Sequence, residues 1–329
     1  MIARVTTGSG SLCCDIPSIV GLMKILITGA SGMLGAALKQ SALAAGHVVL
    51  APTHRALDLE DEASTLKYLE QERPDAIYHC AAKVGGIAAN IASPLEFLVK
   101  NLRIDSSLLG AAARTRVPNL LYMGSSCMYP KNISRAMRVE DLLTGPLEPT
   151  NEGYALAKLV GWKMVRIIGN DLNWKTVVLS NLYGPNDHFE PERSHLLAAI
   201  IAKIHHAKIA NATSIEMWGD GTARRQFTYV HDVADFLVST LSKLRLFPTT
   251  FNLGEPRDLS ILEFYQVVSN QMNYKGEIVP NLSKPVGMPI KLMDVSESLA
   301  LGWKPRTSIE EGIRNTASWF AESVRDEIQ

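Results

Sequence analysis

A short apolar run at residues 24–28, KILIT, passes directly into Gly29-Ala30-Ser31-Gly32-Met33-Leu34-Gly35. No other stretch limits the folding options of the chain so strongly. The apolar pentad reads as a buried strand, and residues 33–45, stopped by Gly46, read as a helix. Glycines at such a junction allow a tight turn, close backbone approach to a pyrophosphate, and close packing of helix on strand. The helix start adds unpaired N–H groups and the positive end of its dipole. Gly29, Ala30, Ser31, Gly32, Met33, Leu34 and Gly35 are therefore candidate dinucleotide-binding residues. A tight turn with no ligand is the plainer alternative, and it accounts less well for a strand–turn–helix at the head of the folded body.

The pattern that follows alternates between short apolar runs and longer helical stretches. Strands are expected at 47–51, 76–81, 120–123 and 176–180, and helices at 61–73, 95–115 and 153–169. Strands that alternate with helices pair in parallel through right-handed crossovers, so the expected fold is α/β: a doubly wound parallel sheet. After about residue 181 the rhythm loosens. Loops at 183–194, 218–225 and 283–289 separate helices near 196–206, 233–244, 261–272 and 309–324. This predicts a smaller α/β lobe over 182–329, with some later segments returning to the first domain at 23–181. Residues 1–22, rich in Gly, Ser and Thr, read as an extension rather than a signal peptide, since they hold no continuous apolar stretch.

Lys plus Arg and Asp plus Glu both number 33. That neutral balance carries no footprint for nucleic acid or an anionic membrane. No apolar run is long enough to span a bilayer. The four cysteines, Cys13, Cys14, Cys80 and Cys127, have the spacing of neither a metal site nor a disulfide framework. A reducing, cytoplasmic setting with no metal is expected.

The end of the second strand selects the cofactor. NAD-binding folds usually carry an acid about 20 residues beyond the glycines, on the ribose 2′-OH. Here the residues are Ala51-Pro52-Thr53-His54-Arg55, and no acid stands among them. Arg55, helped by Thr53 or His54, suits a 2′-phosphate and hence NADP(H), although it also reads as a solvated loop residue. Asp58 and Leu59 follow as candidates for the adenine pocket.

Tyr154 and Lys158 lie one helical turn apart and leave the same face. An ammonium beside a phenol favours the phenolate and lowers the phenol pKa, so Tyr154 can exchange a proton with a carbonyl oxygen while hydride arrives at carbon. Ser125, after the strand at 120–123, can polarise the same carbonyl. Alone, the Tyr-x-x-x-Lys spacing is weak; the serine strengthens it. Cys127 reads by default as a small buried hydrophobe, and His195 as a loop or helix-cap histidine.

Five segments carry a resemblance: AAKVGGIAANIASP at 81–94, GSSCMYPK at 124–131, LEPTNEGYALAK at 147–158, NLYGPN at 181–186 and WGDGTARRQFTYVHD at 218–232. Together they resemble the GDP-L-fucose synthases, the GDP-4-keto-6-deoxy-D-mannose 3,5-epimerase/4-reductases within the extended short-chain dehydrogenases, over essentially all of residues 24–324. The resemblance implies a reductase triad of Ser125, Tyr154 and Lys158, and an epimerase acid/base pair of Cys127 and His195. It implies cofactor contacts at Met123, Gly124, Ser125, Ser126, Lys158, Leu179, Ser180, Asn181, Leu182 and His195. Lys203, Trp218, Arg225 and Lys291 match positions that hold the GDP-4-keto-6-deoxy sugar, with Arg225 and Lys291 suited to the diphosphate; Trp218 also reads as a core anchor. A homodimer built on the helices at 95–115 and 153–169 is implied too. Val286 stands where the family usually has an acid, and Ile290 where it often has a basic residue. These departures keep open another GDP-4-keto sugar of colitose or heptose type. A non-catalytic NADP(H) sensor is the reading from a different class.

Overall fold

The computed structural model describes residues 21–191, 193–284 and 288–326. The main sheet is built from β1 (Lys24–Thr28), β2 (Val48–Leu50), β3 (Ala76–His79), β4 (Asn119–Ser125), β5 (Asn173–Leu179) and, after four short strands, β10 (Thr250–Leu253). Those four are β6 (Asn181–Tyr183), β7 (Ser214–Trp218), β8 (Arg224–Arg225) and β9 (Phe227–Tyr229). The order across the sheet is β10-β5-β4-β3-β1-β2, and every pairing is parallel. The direction of winding reverses at β1, which has β2 on one side and β3 on the other. Ligands of open parallel sheets bind beyond the carboxyl ends of the strands at such a switch point.

The helices are α1 (Met33–Ala44), α2 (Glu62–Glu72), α3 (Ile87–Ala92), α4 (Pro94–Arg114), α5 (Glu152–Ile168), α6 (Leu196–Ile209), α7 (Val230–Thr240), α8 (Ile261–Gln271), α9 (Ser296–Ala300) and α10 (Ile309–Asp326). Successive strand residues face opposite sides of the sheet. Ile25, Ile27 and Tyr78 pack with Leu38 of α1 and Val233 and Leu237 of α7. Leu26, Ile77 and Tyr122 pack on the other side with Leu69 of α2, Leu108 of α4 and Val165 of α5. A fully buried leucine or isoleucine contributes about 1.5–3 kcal/mol relative to exposure, so the two layers clamp the sheet.

The expected doubly wound sheet is present. Residues 250–253 and α7 complete its far edge and its α1 face, so two late segments belong to the main sheet layer. The helix expected over 233–244 begins three residues earlier and ends at Thr240, then tightens into a 3₁₀ segment at Leu241–Leu246. The second lobe packs α6, α8 and α10 around Leu197, Ile201, Phe264 and Ile313. It also holds β11 (Leu259–Ser260), β12 (Glu277–Asn281) and β13 (Ile290–Lys291), with β8 between β11 and β13, and β12 beside β7. The loop expected over 218–225 therefore ends in a strand. The extension at 1–20, with Cys13 and Cys14, and Val286 lie outside the described residues. Among the described residues, no helix is long and apolar enough to cross a membrane.

Candidate active site

The glycine loop closes over the switch point. Gly29 has φ +67°, and a Cβ there would lie 2.8 Å from the backbone nitrogen of Ala81, just beyond β3. A Cβ on Gly35 would lie 2.2 Å from the carbonyl oxygen of Gly29. These two glycines are demanded by the fold itself. Gly32 is different: its Cβ would meet nothing closer than 3.5 Å. It caps α1, which has no side-chain cap and no acid in its first turn. An open glycine at an uncapped helix start is a cradle into which a phosphate fits. Ala30, Met33 and Leu34 pack partly onto the core, and Ser31 is exposed.

Beyond β2, Thr53, His54 and Arg55 are exposed. No acidic side chain stands there before Asp58, which is 3.7 Å from His54. The exposed guanidinium and the lack of an acid among residues 51–55 suit a 2′-phosphate. Leu59 is buried with Leu57 and Leu69, so its side chain packs into the core. Met123 and Leu179 are likewise core side chains. Ser126 is buried, Ser180 meets Thr228 at 2.7 Å, Asn181 donates to the Gln226 carbonyl, and Leu182 packs beside the core. These strand ends offer the crevice mainly backbone.

Beneath the crevice runs a buried polar chain that sequence reasoning did not single out. The backbone N–H of Ala81 donates to Thr28 Oγ1 at 3.2 Å, and Thr28 Oγ1 meets His79 Nδ1 at 2.8 Å. His79 Nε2 lies 3.0 Å from Asp105 Oδ1, and Tyr122 Oη donates to Asp105 Oδ2 at 2.5 Å. Burial lowers the pKa of His79, outweighing the attraction of Asp105. The His79–Asp105 contact is thus a hydrogen bond from a neutral ring, not an ion pair. The true counter-ion of Asp105 is Lys158, 2% exposed, with Nζ at 4.0 Å from Oδ1 and 4.6 Å over the Tyr122 ring. Burial alone would raise the pKa of Asp105, but the Lys158 ammonium and the bonds from His79 and Tyr122 bring it below the usual carboxylate range. The chain links the glycine loop to the triad lysine. Its signal in the sequence was a His inside an apolar strand and an Asp inside a core helix, both at positions where a polar group needs partners.

Above Lys158, the remaining residues converge. Tyr154 leaves α5 one turn earlier and hydrogen-bonds Ser125 at the end of β4. Ser125 Oγ also accepts from the backbone N–H of Cys127 at 3.2 Å, which fixes the short 3₁₀ turn at Ser126–Met128. The pKa of Tyr154 is raised, by burial first and then by Cys127 and Asp105, with Ser125 opposing. The sequence leads to the expectation that the Lys158 ammonium, with a cationic nicotinamide, lowers this value; without the cofactor, burial and the negative charges nearby raise it instead. A raised value keeps the phenol protonated, the form that donates to a carbonyl being reduced. Cys127 is half-buried, and its Sγ receives Asn151 Nδ2 at 3.1 Å and Lys291 Nζ at 3.3 Å. His195 stands at the start of α6 without capping it through its side chain. Its surface is exposed, but protein groups crowd around it. That crowding, then the charges of Lys291 and His188, lowers its pKa.

The other predicted sugar contacts come from the second lobe. Arg225 donates from Nη1 to the carbonyls of Arg224 and Met288 at 2.8 and 2.7 Å, and it is the register partner of Lys291 on β13. Burial lowers its pKa. Lys203 donates to the Glu216 carbonyl at 2.5 Å and contacts Tyr265 Oη at 3.3 Å. Trp218 is 54% exposed, with Lys284 Nζ 5.2 Å over its ring, so it is a surface ring and not a core anchor. Ile290 is exposed beside Lys291.

The fold and this site define a class. The chain belongs to the NAD dependent epimerase/dehydratase family, whose model matches residues 25–254, and within it to the group of GDP-L-fucose synthases and their near relatives. It is 44% identical to a GDP-L-fucose synthase of Azorhizobium caulinodans over 90% of this chain and 96% of that protein. It is 40% identical to a GDP-L-colitose synthase of Yersinia pseudotuberculosis over 91% and 98%. A GDP-mannoheptose C4 reductase from Campylobacter jejuni, solved with NADP bound, superposes with a TM-score of 0.82 at 31% identity, covering 91% and 98%.

Proposed function

We propose that the chain converts GDP-4-keto-6-deoxy-D-mannose to GDP-L-fucose by 3,5-epimerisation followed by NADPH-dependent reduction at C4. The observation that carries this reading is one pocket in which the Ser125–Tyr154 hydrogen bond sits next to a thiol held by Asn151 and Lys291. A simple ketone reductase needs the first element only. C3 and C5 both flank the C4 ketone, so their hydrogens are acidic through an enolate. Inverting each centre takes one group to remove a proton and a second on the opposite face to return one. Cys127 and His195 fill those roles. Ser125 then holds the C4 oxygen, Tyr154 donates its proton to it, and Lys158 orients the cofactor ribose. NADPH, when bound over Gly29 to Gly35 with Arg55 at its 2′-phosphate, supplies the hydride.

Turnover of GDP-4-keto-6-deoxy-D-mannose with NADPH in deuterated water tests the reading. GDP-L-fucose labelled at C3 and C5 supports it, reduction without label reduces it to a 4-reductase, and no reaction overturns it. The second reading, another GDP-4-keto sugar, is favoured by the likeness to colitose and heptose enzymes, and a panel of those substrates separates the two. A homodimer through α4 and α5 is supported by their exposed Leu95, Leu156, Val160 and Ile167 and by the open space over Gly110. A cytoplasmic location is supported by the free thiols of Cys80 and Cys127.

A further inference from the structure

Asn151 breaks a local rule. It is the N-cap of α5, and asparagine is favoured there because its Oδ1 accepts from the first-turn N–H groups. Asn151 makes no such bond. Its Oδ1 is buried without a partner, and its Nδ2 reaches 3.1 Å to Cys127 Sγ. Lys291 also departs from its simplest use. An ammonium on a short surface strand beside Arg225 would serve a diphosphate, yet its Nζ lies 3.3 Å from the same sulfur. A lysine ammonium can only donate. Two donors aimed at one sulfur suit an anionic acceptor far better than a thiol, which is a weak one. Rotating the Asn151 amide half a turn presents Oδ1 to an S–H, so one residue serves the sulfur before and after it takes a proton.

We infer that Lys291 and Asn151 are positioning residues that hold Cys127 as a hydrogen-bonded thiolate, the base for proton removal. This rests on the reading of Cys127 given under the proposed function. The sulfur lone pair takes the proton of the C–H next to the ketone, and the C–H electron pair moves onto the ketone oxygen as an enolate. The enolate pair then returns to carbon and takes a proton from the His195 imidazolium on the other face, restoring the ketone. Cys127 loses its proton, and His195 regains one, through solvent. Lys291 lies near both groups, and its charge acts on each: it favours the anionic sulfur and disfavours the imidazolium.

The test is the rate of alkylation of Cys127 by iodoacetamide at neutral pH, followed by peptide mass spectrometry without substrate or cofactor. The thiolate is the reacting form. Cys80 does not interfere, because burial pushes its thiol up to about 12. Lys291→Gln is expected to slow alkylation of Cys127 about tenfold or more, Lys291→Arg to restore most of the rate, and Asn151→Ala to slow it a few-fold. Solvent-deuterium uptake into the sugar should fall in step, with NADPH affinity unchanged. Alkylation of Lys291→Gln at the native rate, or an arginine variant as slow as the glutamine one, overturns the inference. If Lys291→Gln does not fold, Asn151→Ala carries the same comparison. Alkylation uses no sugar, so a native enzyme inert toward GDP-4-keto-6-deoxy-D-mannose refutes the substrate and leaves this result to stand on its own.

Discussion

Asp105→Asn isolates one charge. The amide has the shape of the carboxylate: its oxygen can still accept from Tyr122, its NH2 then faces His79, whose ring keeps that bond as the other neutral tautomer with Nδ1–H toward Thr28 Oγ1, and the Lys158 ammonium loses its counter-ion at 4.0 Å. At an effective dielectric of about 20, two unit charges at that distance attract by ~4 kcal/mol. Measurements on buried pairs with one partner removed give about 3–5 kcal/mol. The two figures agree, and with both groups almost fully buried no solvent discount applies. In a chain of this size each kcal/mol lowers the melting temperature by about 1.5 °C, so a drop of roughly 4–7 °C is expected by calorimetry. The sign of the pH dependence follows from the lowered pKa of Asp105. Its stabilisation is present above the unfolded aspartate value and lost as pH falls through the folded one. The gap between native and variant should therefore close in acid. Turnover should fall more in kcat than in KM, because the ammonium that orients the ribose is no longer anchored. A variant that melts within 2 °C of the native protein, where at least ~4 °C is expected, would refute the electrostatic account.

Tyr154→Phe should lower kcat by about 10²–10⁴-fold, the usual worth of a general acid, while a fluorescence titration finds NADPH affinity nearly unchanged. Cys127→Ser should slow deuterium uptake at C3 and C5 more than reduction of an already epimerised ketone; equal slowing would leave the thiol only a structural part. With the pKa of His195 lowered by crowding and Lys291, label uptake measured as kcat/KM should decline with rising pH at a midpoint below the ordinary histidine value of about 6.5. Lys291→Gln should move that midpoint upward. Gly32→Ala, whose Cβ meets nothing within 3.4 Å, should keep the native melting temperature and lose NADPH affinity, whereas Gly35→Ala, 2.2 Å from the Gly29 oxygen, should lose both.

The parts of the molecule legible in the sequence are those whose causes are local. The strand at 24–28, the glycines after it and the Tyr154/Lys158 spacing each depend on neighbours within a turn or two, so period and turn chemistry reveal them. Residues 250–253 did not read as a strand, since a run of four gains its meaning only from pairing with β5. The sequence also placed Ser125, Cys127 and Tyr154 within some 30 residues, and the resemblance suggested their roles. What only the tertiary structure decided is which charges face which. Asp105 meets Lys158 and Tyr122 through the packing of α4 on α5 and β4, and Lys291 reaches Cys127 across 164 residues because β13 pairs beside β8. Electrostatic partners are set by distance in space and by the exclusion of water, and neither quantity is written along the chain.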